Sequence, residues 1–321
     1  MQVTMLGRTG LTVSRLCLGA ANFGRQCDES VARQIFEAAA EAGITFIDTA
    51  DAYTGSEEIL GRILRGQRDQ FILTTKGGGR VGGQPWESGA SRKHLLDSVD
   101  GSLRRLQCEY VDIYLAHLYD ARTPLDETLE ALDAIRTSGK ARYVGCSNYA
   151  AYQLARALGR SEVRGLARFA VVQPRYNLLS RQIERELLPL CAEEGLGVTV
   201  YNPLAGGLLT GKHARDAPPI DDTRFGQRAG SRGDMYRDRY WHKEQFDAVD
   251  ALRPLAQDAG MSLTTLAMAW ILSKPEITAA IIGPSRPEQL NDVIAAIDAE
   301  LPAAIADKVD TLTKTWRNDS A

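Results

Sequence analysis

A short apolar run followed by a segment of helical spacing recurs eight times along this chain, and that cycle constrains the fold more than any other feature. The apolar runs are RLCLG, ITFID, FILTTK, VDIYLAH, ARYVGCS, FAVVQ, GVTVYN and TAAIIG. Because they are apolar at successive positions, strands made from them need cover on both faces. Helices are expected between them, from ESVARQIFEAAAEAG (capped by Asp28, stopped by Gly43) to SLTTLAMAWILS and PEQLNDVIAAI. Eight βα units predict an α/β fold: one closed (β/α)8 TIM barrel over residues 1–321, entered through a short β-hairpin formed by VTML and LTV. An open doubly wound sheet is the alternative, but its first βα turn would carry GxGxxG, and LGAANFGRQ does not. Two connections exceed the usual span of about two to six residues. One runs from about 77 to 90 and the other from about 203 to 243, and both leave carboxyl ends of strands.

Composition excludes several classes. The 321 residues include 38 Lys and Arg against 41 Asp and Glu, a net charge of −3 that gives no reason to expect nucleic acid or an acidic membrane as partner. No run of about 18 apolar residues is present, so no membrane-spanning helix is expected. The opening MQVTMLGRTG is too interrupted for a secretory signal, which makes a cytoplasmic location the expectation. The five cysteines are scattered without a CxxC pair, so reduced thiols are expected rather than disulfides or a metal site.

Catalytic groups of such barrels come from the carboxyl ends of different strands. Here Asp48 and Tyr53 follow ITFI, Lys76 ends FILTT, and His117 ends DIYLA. An amine placed directly after apolar residues needs a carboxylate nearby, and Asp48 is the natural partner. The Lys76 charge is expected to lower the Tyr53 pKa and make the phenol a proton donor, while His117 orients a carbonyl oxygen. No GxSxG elbow or Cys–His pairing supplies a nucleophile. A site with an acid and an electrostatic clamp but no nucleophile draws its other reactant from a cofactor, and hydride from a nicotinamide fits.

Later strands also end in polar groups. Ser147 and Asn148, Gln173 and Tyr201 suit a carboxamide-bearing ring. GGLLTGKH matches GxxxxGK, but His213 stands where Ser or Thr would bind magnesium, so a triphosphatase is rejected. Its Gly206, Gly211 and Lys212 can still wrap a pyrophosphate. Ser285 and Arg286, opening the last helix, suit a 2′-phosphate, which favours NADPH/NADP+ over NADH. Phe23, Trp86, Tyr119, Tyr240 and Trp241 are expected to wall a substrate pocket, because aromatics on active-face loops commonly do. Basic residues of the long loop suit an anionic substrate, although a solvated loop explains them equally.

FIDTADAYTGSEEILG, TTK, VDIYLAH, GCSNY, VVQPRYN, VYNPLAGGLLTGK and IIGPSRPEQL, in that order, resemble the aldo-keto reductase superfamily across nearly the whole chain. Asp48, Tyr53, Lys76 and His117 match its catalytic tetrad. The resemblance implies NADP(H)-dependent reduction of aldehydes or ketones without metal. It implies cofactor contacts from Gly19, Asp48, Ser147, Asn148, Gln173, Tyr201, Pro203, Leu204, Gly206, Leu208 and Gly211. Lys212, Gly283, Ser285, Arg286, Gln289 and Asp292 complete that set. Val293 stands where the family often has an adenine-contacting Asn, and Asp292 where it often has Glu. YNPLAGGLLTGK and MYRDRYWHKEQF are similar to the branch of aflatoxin-aldehyde and bacterial sugar-ketone reductases, implying small aldehydes, dicarbonyls or sugar-derived carbonyls. Three other readings share the site: an NAD(P)+-dependent sugar or alcohol dehydrogenase, a cofactor-sensing regulatory subunit with little turnover, and a phosphosugar isomerase. Oligomeric state is open, a homo-oligomer included.

Overall fold

The computed structural model describes residues 1–226 and 230–318. Eight parallel strands close into a barrel: β3 (Leu16–Gly19), β4 (Phe46–Asp48), β5 (Ile72–Gly77), β6 (Val111–Ala116), β7 (Ala141–Ser147), β8 (Val171–Gln173), β9 (Gly197–Val200) and β10 (Ala279–Ile282), with β10 pairing both β9 and β3. The strand order is the sequence order, as right-handed crossover connections require. β1 (Val3–Met5) and β2 (Thr12–Ser14) form the expected antiparallel hairpin. Leu6 and Val13 of that hairpin pack with Cys17, Phe46, Ile113, Leu115, Val171 and Ile281, so the barrel interior is filled rather than open.

Six strand-to-strand crossovers carry α1 (Glu29–Glu41), α2 (Ser56–Ile63), α3 (Arg92–Leu106), α4 (Leu125–Thr137), α5 (Ala151–Arg164) and α6 (Leu187–Glu194). Asp28 caps α1 by accepting the Val31 N–H at 2.9 Å. The long connection after β9 is not a plain loop. It contains α7 (Ser231–Tyr240) and α8 (Lys243–Asp258) before α9 (Leu263–Leu272) returns to β10. α8 carries Pro254, which cannot donate a backbone hydrogen bond, so its sequence signal is weak. After β10 come α10 (Asn291–Ala295) and α11 (Ala303–Thr313), the latter buried only through Ile305, Val309 and Thr313. No helix among the described residues is long and apolar enough to cross a membrane.

Neighbouring outer helices meet at close range. A Cβ on Gly61 of α2 would stand 2.4 Å from the Arg105 carbonyl oxygen and 2.9 Å from the Leu106 carbonyl carbon of α3. Below Gly61 the buried Glu57 accepts from Arg105 Nε at 2.8 Å and from Thr75 Oγ1 at 2.6 Å. Gly61→Ala therefore overpacks a backbone contact that cannot yield by a rotamer change, and should cost about 1–3 kcal/mol in urea unfolding. An unchanged midpoint would show that α2 and α3 separate freely.

Candidate active site

Strand register brings the polar ends to one rim. Gly19 pairs with Asp48, Asp48 with Thr74, and Ser147 with Gln173. Lys76 lies two residues beyond Thr74 and so shares the face of Asp48. Its Nζ donates to Asp48 Oδ1 at 2.6 Å and to the Thr49 carbonyl at 2.7 Å. Gln173, from the far side of the barrel, donates to Asp48 Oδ2 at 2.8 Å. Both carboxylate oxygens are thus occupied within a fully buried pair. Burial opposes the Lys76 charge, yet the adjoining Asp48 and Tyr53 more than offset it, and the ammonium is held above its ordinary range.

Tyr53 is delivered by the turn between β4 and α2, where its N–H donates to the Ala50 carbonyl at 3.1 Å. Lys76 Nζ lies 5.1 Å from the Tyr53 ring centroid, and the His117 ring meets Tyr53 edge-on at 5.8 Å. The expected lowering of the Tyr53 pKa needs correction. Burial raises it, Lys76 pulls it down, Asp48 pushes it up again, and the phenol ends above its ordinary value. The group is a protonated phenol at neutral pH. His117 is pushed down to about 3 by burial and then by the charges of Lys76 and Arg232, so its imidazole is neutral.

The next strand ends form a second polar layer. Ser147 Oγ donates to the Gln173 carbonyl at 2.8 Å. Asn148, at φ +60°, donates to the His117 carbonyl at 3.1 Å and accepts from the Tyr201 hydroxyl at 2.7 Å. Short Asn side chains tolerate that left-handed backbone.

The segment after β9 is anchored by two polar or aromatic clusters. Asn202 accepts the Gly206 N–H at 2.6 Å, and it and Asn177 both donate to the Tyr240 hydroxyl, at 2.8 and 3.1 Å. His213 is buried with neither ring nitrogen hydrogen-bonded, 5.1 Å from Phe225 and 5.2 Å from Trp241. Tyr240 and Trp241 thereby serve as internal anchors of this segment. Phe23 is fully buried, Tyr119 packs edge-on against Tyr149 at 5.2 Å, and Trp86 is 53% exposed on the 77–90 loop. The five aromatics expected to wall a pocket do not form one continuous group in these contacts.

Cations gather where Pro203, Leu204 and the glycines Gly206, Gly207 and Gly211 lead to Lys212. Gly206 and Gly207 have φ of +71° and +106°, and a Cβ on Gly206 would stand 2.7 Å from Tyr236. Leu208 is buried beneath them. Burial lowers the Lys212 pKa, and the nearby charges of Arg286 and Arg224 lower it further. No carboxylate pairs with Lys212, Arg224 or Arg286 among the described residues. Arg224 donates to the Tyr236 hydroxyl at 2.9 Å and to the Gly283 carbonyl at 3.4 Å. Asn22 also donates to Gly283 O, at 2.9 Å, drawing the loop after β3 onto the one after β10. The Ser285 N–H donates to Gln289 Oε1 at 2.8 Å, and the Asp292 carbonyl accepts from Thr265 at 3.0 Å. Val293 is buried in the core. Three neighbouring cations without a counter-charge form a cradle that fits a phosphorylated dinucleotide. Arg224 and Asn22 in loops and Arg232 on α7 were not anticipated from sequence, because nothing local marks a residue as reaching groups distant in the chain. Among the described residues no group of three or more His, Cys, Asp or Glu could hold a metal ion.

Comparison with known proteins shows the family. Residues 15–314 match the family model described as the aldo/keto reductase family. A probable voltage-gated potassium channel subunit beta from Oryza sativa subsp. japonica is 37% identical, the match covering 98% of this chain and 97% of that protein. An uncharacterized oxidoreductase from Bacillus subtilis (strain 168) is 37% identical over 95% of this chain and 94% of its own. The L-glyceraldehyde 3-phosphate reductase of Escherichia coli (strain K12) is 36% identical over 93% and 88%. The chain belongs to the aldo/keto reductase family, and is an oxidoreductase of the kind that reduces carbonyl groups.

Proposed function

We propose that the protein is an NADPH-dependent reductase of small aldehydes and ketones, in which Tyr53 protonates the carbonyl oxygen. The observation that carries this reading is the buried Asp48–Lys76 pair against the Tyr53 ring. Lys76 favours the tyrosinate left after proton transfer, while burial keeps the resting phenol protonated. Neutral His117, edge-on to Tyr53, offers an N–H to the same oxygen and so orients the carbonyl. A reduced nicotinamide bound along the rim supplies the hydride. Ser147, Asn148, Gln173 and Tyr201 would hold its ring, and Lys212, Ser285 and Arg286 its phosphates. The side-chain amide of Gln173 commits its nitrogen to Asp48, which leaves its Oε1 to accept from a carboxamide.

Charge at the mouth supports an anionic substrate within this class. Arg232 lies close enough to lower the pKa of both Tyr53 and His117, and Arg25 is depressed by burial and then by Arg232 and Arg224. A phosphorylated small aldehyde, the substrate class in the name of the Escherichia coli relative, suits that field. The channel-subunit relatives favour a second reading, a cofactor-binding subunit of a larger assembly. Tight NADPH binding without turnover on a carbonyl panel would select it.

Tyr53→Phe removes the proton donor and should lower kcat for aldehyde reduction by about 10²-fold or more. Turnover equal to the parent would remove Tyr53 from the role. Arg286→Ala should raise the KM for NADPH far more than that for NADH, and equal increases would refute contact with a 2′-phosphate. Lys76→Met strands the Asp48 carboxylate in the core. It should cost about 3–5 kcal/mol of stability in denaturant unfolding, in addition to the lost turnover; full stability would mean that Gln173 alone compensates Asp48.

A further inference from the structure

The connection between β3 and α1 touches both the phosphate cradle and the turn that carries Tyr53. On one side the buried Asn22 donates its side-chain amide to the Gly283 carbonyl at 2.9 Å and to the Pro284 carbonyl at 3.2 Å. Two carbonyls can accept only from the nitrogen end, so the amide has one orientation here. Cys27 Sγ donates to the Ser285 carbonyl at 3.6 Å. On the other side Gly24 lies against Gly55, the residue that opens α2. Their φ angles are +78° and +79°, and a Cβ on Gly24 would stand 2.9 Å from both Gly55 Cα and the Thr54 carbonyl oxygen. Backbones in that conformation and at that range require glycine. Ser56 Oγ adds a donation to the Ala20 carbonyl at 2.9 Å, and the Ser56 N–H donates to the Tyr53 carbonyl at 3.0 Å.

Between those two edges the connection is compact. The Asn22 backbone carbonyl accepts the N–H groups of Arg25 at 3.1 Å, Gln26 at 3.0 Å and Cys27 at 3.1 Å, and the Gly24 N–H donates to the Cys27 carbonyl at 2.8 Å. Phe23, fully buried, fastens the segment to the core. One edge cannot shift alone without breaking these internal bonds, so displacement at Asn22 is felt at Gly24. The Gly283 carbonyl is also a shared acceptor, because Arg224 donates to it at 3.4 Å.

We infer that Asn22 is a positioning residue through which a phosphate on the 283–286 segment sets the turn that carries Tyr53. The inference rests on the reading of Ser285 and Arg286 as a 2′-phosphate site and of Tyr53 as proton donor. An anion there draws Arg224 and Arg286 toward itself and leaves the Gly283 carbonyl to Asn22. Residues 22–27 are then held against the strand-end loop, and Gly24 fixes Gly55, two residues beyond Tyr53. Misplacing a reacting group by about 1 Å can cost about 10²-fold in rate, so the setting of this turn bears on the chemical step. The 2′-phosphate thereby favours NADPH over NADH in the rate of hydride transfer as well as in binding.

The test uses the full chain labelled with 3-fluorotyrosine, the Tyr53 19F line being assigned from its loss in Tyr53→Phe. The probe is adenosine 2′,5′-bisphosphate, which carries the phosphate but no nicotinamide, with its binding followed by calorimetry. Saturation should shift the Tyr53 line in the parent protein. Asn22→Ala, and Asn22→Leu of similar size to the parent residue, should bind the probe with the parent's affinity and lose the shift; either serves if the other fails to fold. A parent that binds the probe with its Tyr53 line unmoved, or a variant whose line still moves, overturns the inference. A parent that does not bind the probe refutes the 2′-phosphate reading and the inference with it. In single turnovers with glyceraldehyde, the parent should transfer hydride about 10-fold or more faster from NADPH than from NADH. Asn22→Ala should bring the NADPH rate down to the NADH rate, and a variant that keeps the full advantage again overturns the inference. A shift that depends on Asn22 in a protein that turns over no carbonyl would sink the reductase reading alone.

Discussion

The Lys76–Asp48 pair is the constraint on which the rest of the site depends. A lone ammonium or carboxylate in this interior would be neutralised by desolvation, so neither residue is tolerable without the other. Their contact at 2.6 Å requires β4 and β5 to be neighbours in one register, and the second carboxylate oxygen requires Gln173 from β8. Barrel closure satisfies both demands at once, because it brings strands separated by more than 100 residues to a common rim. The charge retained there then acts on its surroundings. It adds to the effect of burial in depressing His117 and opposes the rise of Tyr53.

The segment after β9 answers a different problem. A connection of this length would be costly to order by backbone contacts alone. Aromatic packing around His213 and the hydrogen bonds of Asn177, Asn202 and Tyr240 supply the order from within. Once fixed, the segment presents Lys212 where burial and then the charges of Arg286 and Arg224 lower its pKa.

Much of this was legible in the residues. The eight strands, the hairpin, and the placement of Asp48, Lys76, His117, Ser147 and Gln173 at strand ends all follow from apolar runs interrupted by single polar residues. α7, α8 and α11 were not legible: α7 and α11 are short helices with few buried positions, as Ile305 and Val309 illustrate, and the longer α8 carries Pro254 within it. The packing of the aromatic residues was likewise not legible. Trp241 packs against Phe225 and Phe246, while the Tyr240 ring stacks on Tyr236 and its hydroxyl accepts from Asn177 and Asn202, contacts that a linear reading does not show.

What the sequence alone determined is the identity of the chemical groups and the strand on which each ends, since both are local properties of short apolar runs. Only the tertiary structure decided their electrostatic state. Tyr53 was expected to be lowered by a neighbouring lysine, yet burial outweighs that charge. Asp51 carried no local mark, yet its buried Oδ1 is left without a hydrogen-bond partner near Gly79. Desolvation and unsatisfied hydrogen bonds depend on what surrounds an atom from every direction, and most of those neighbours come from distant parts of the chain.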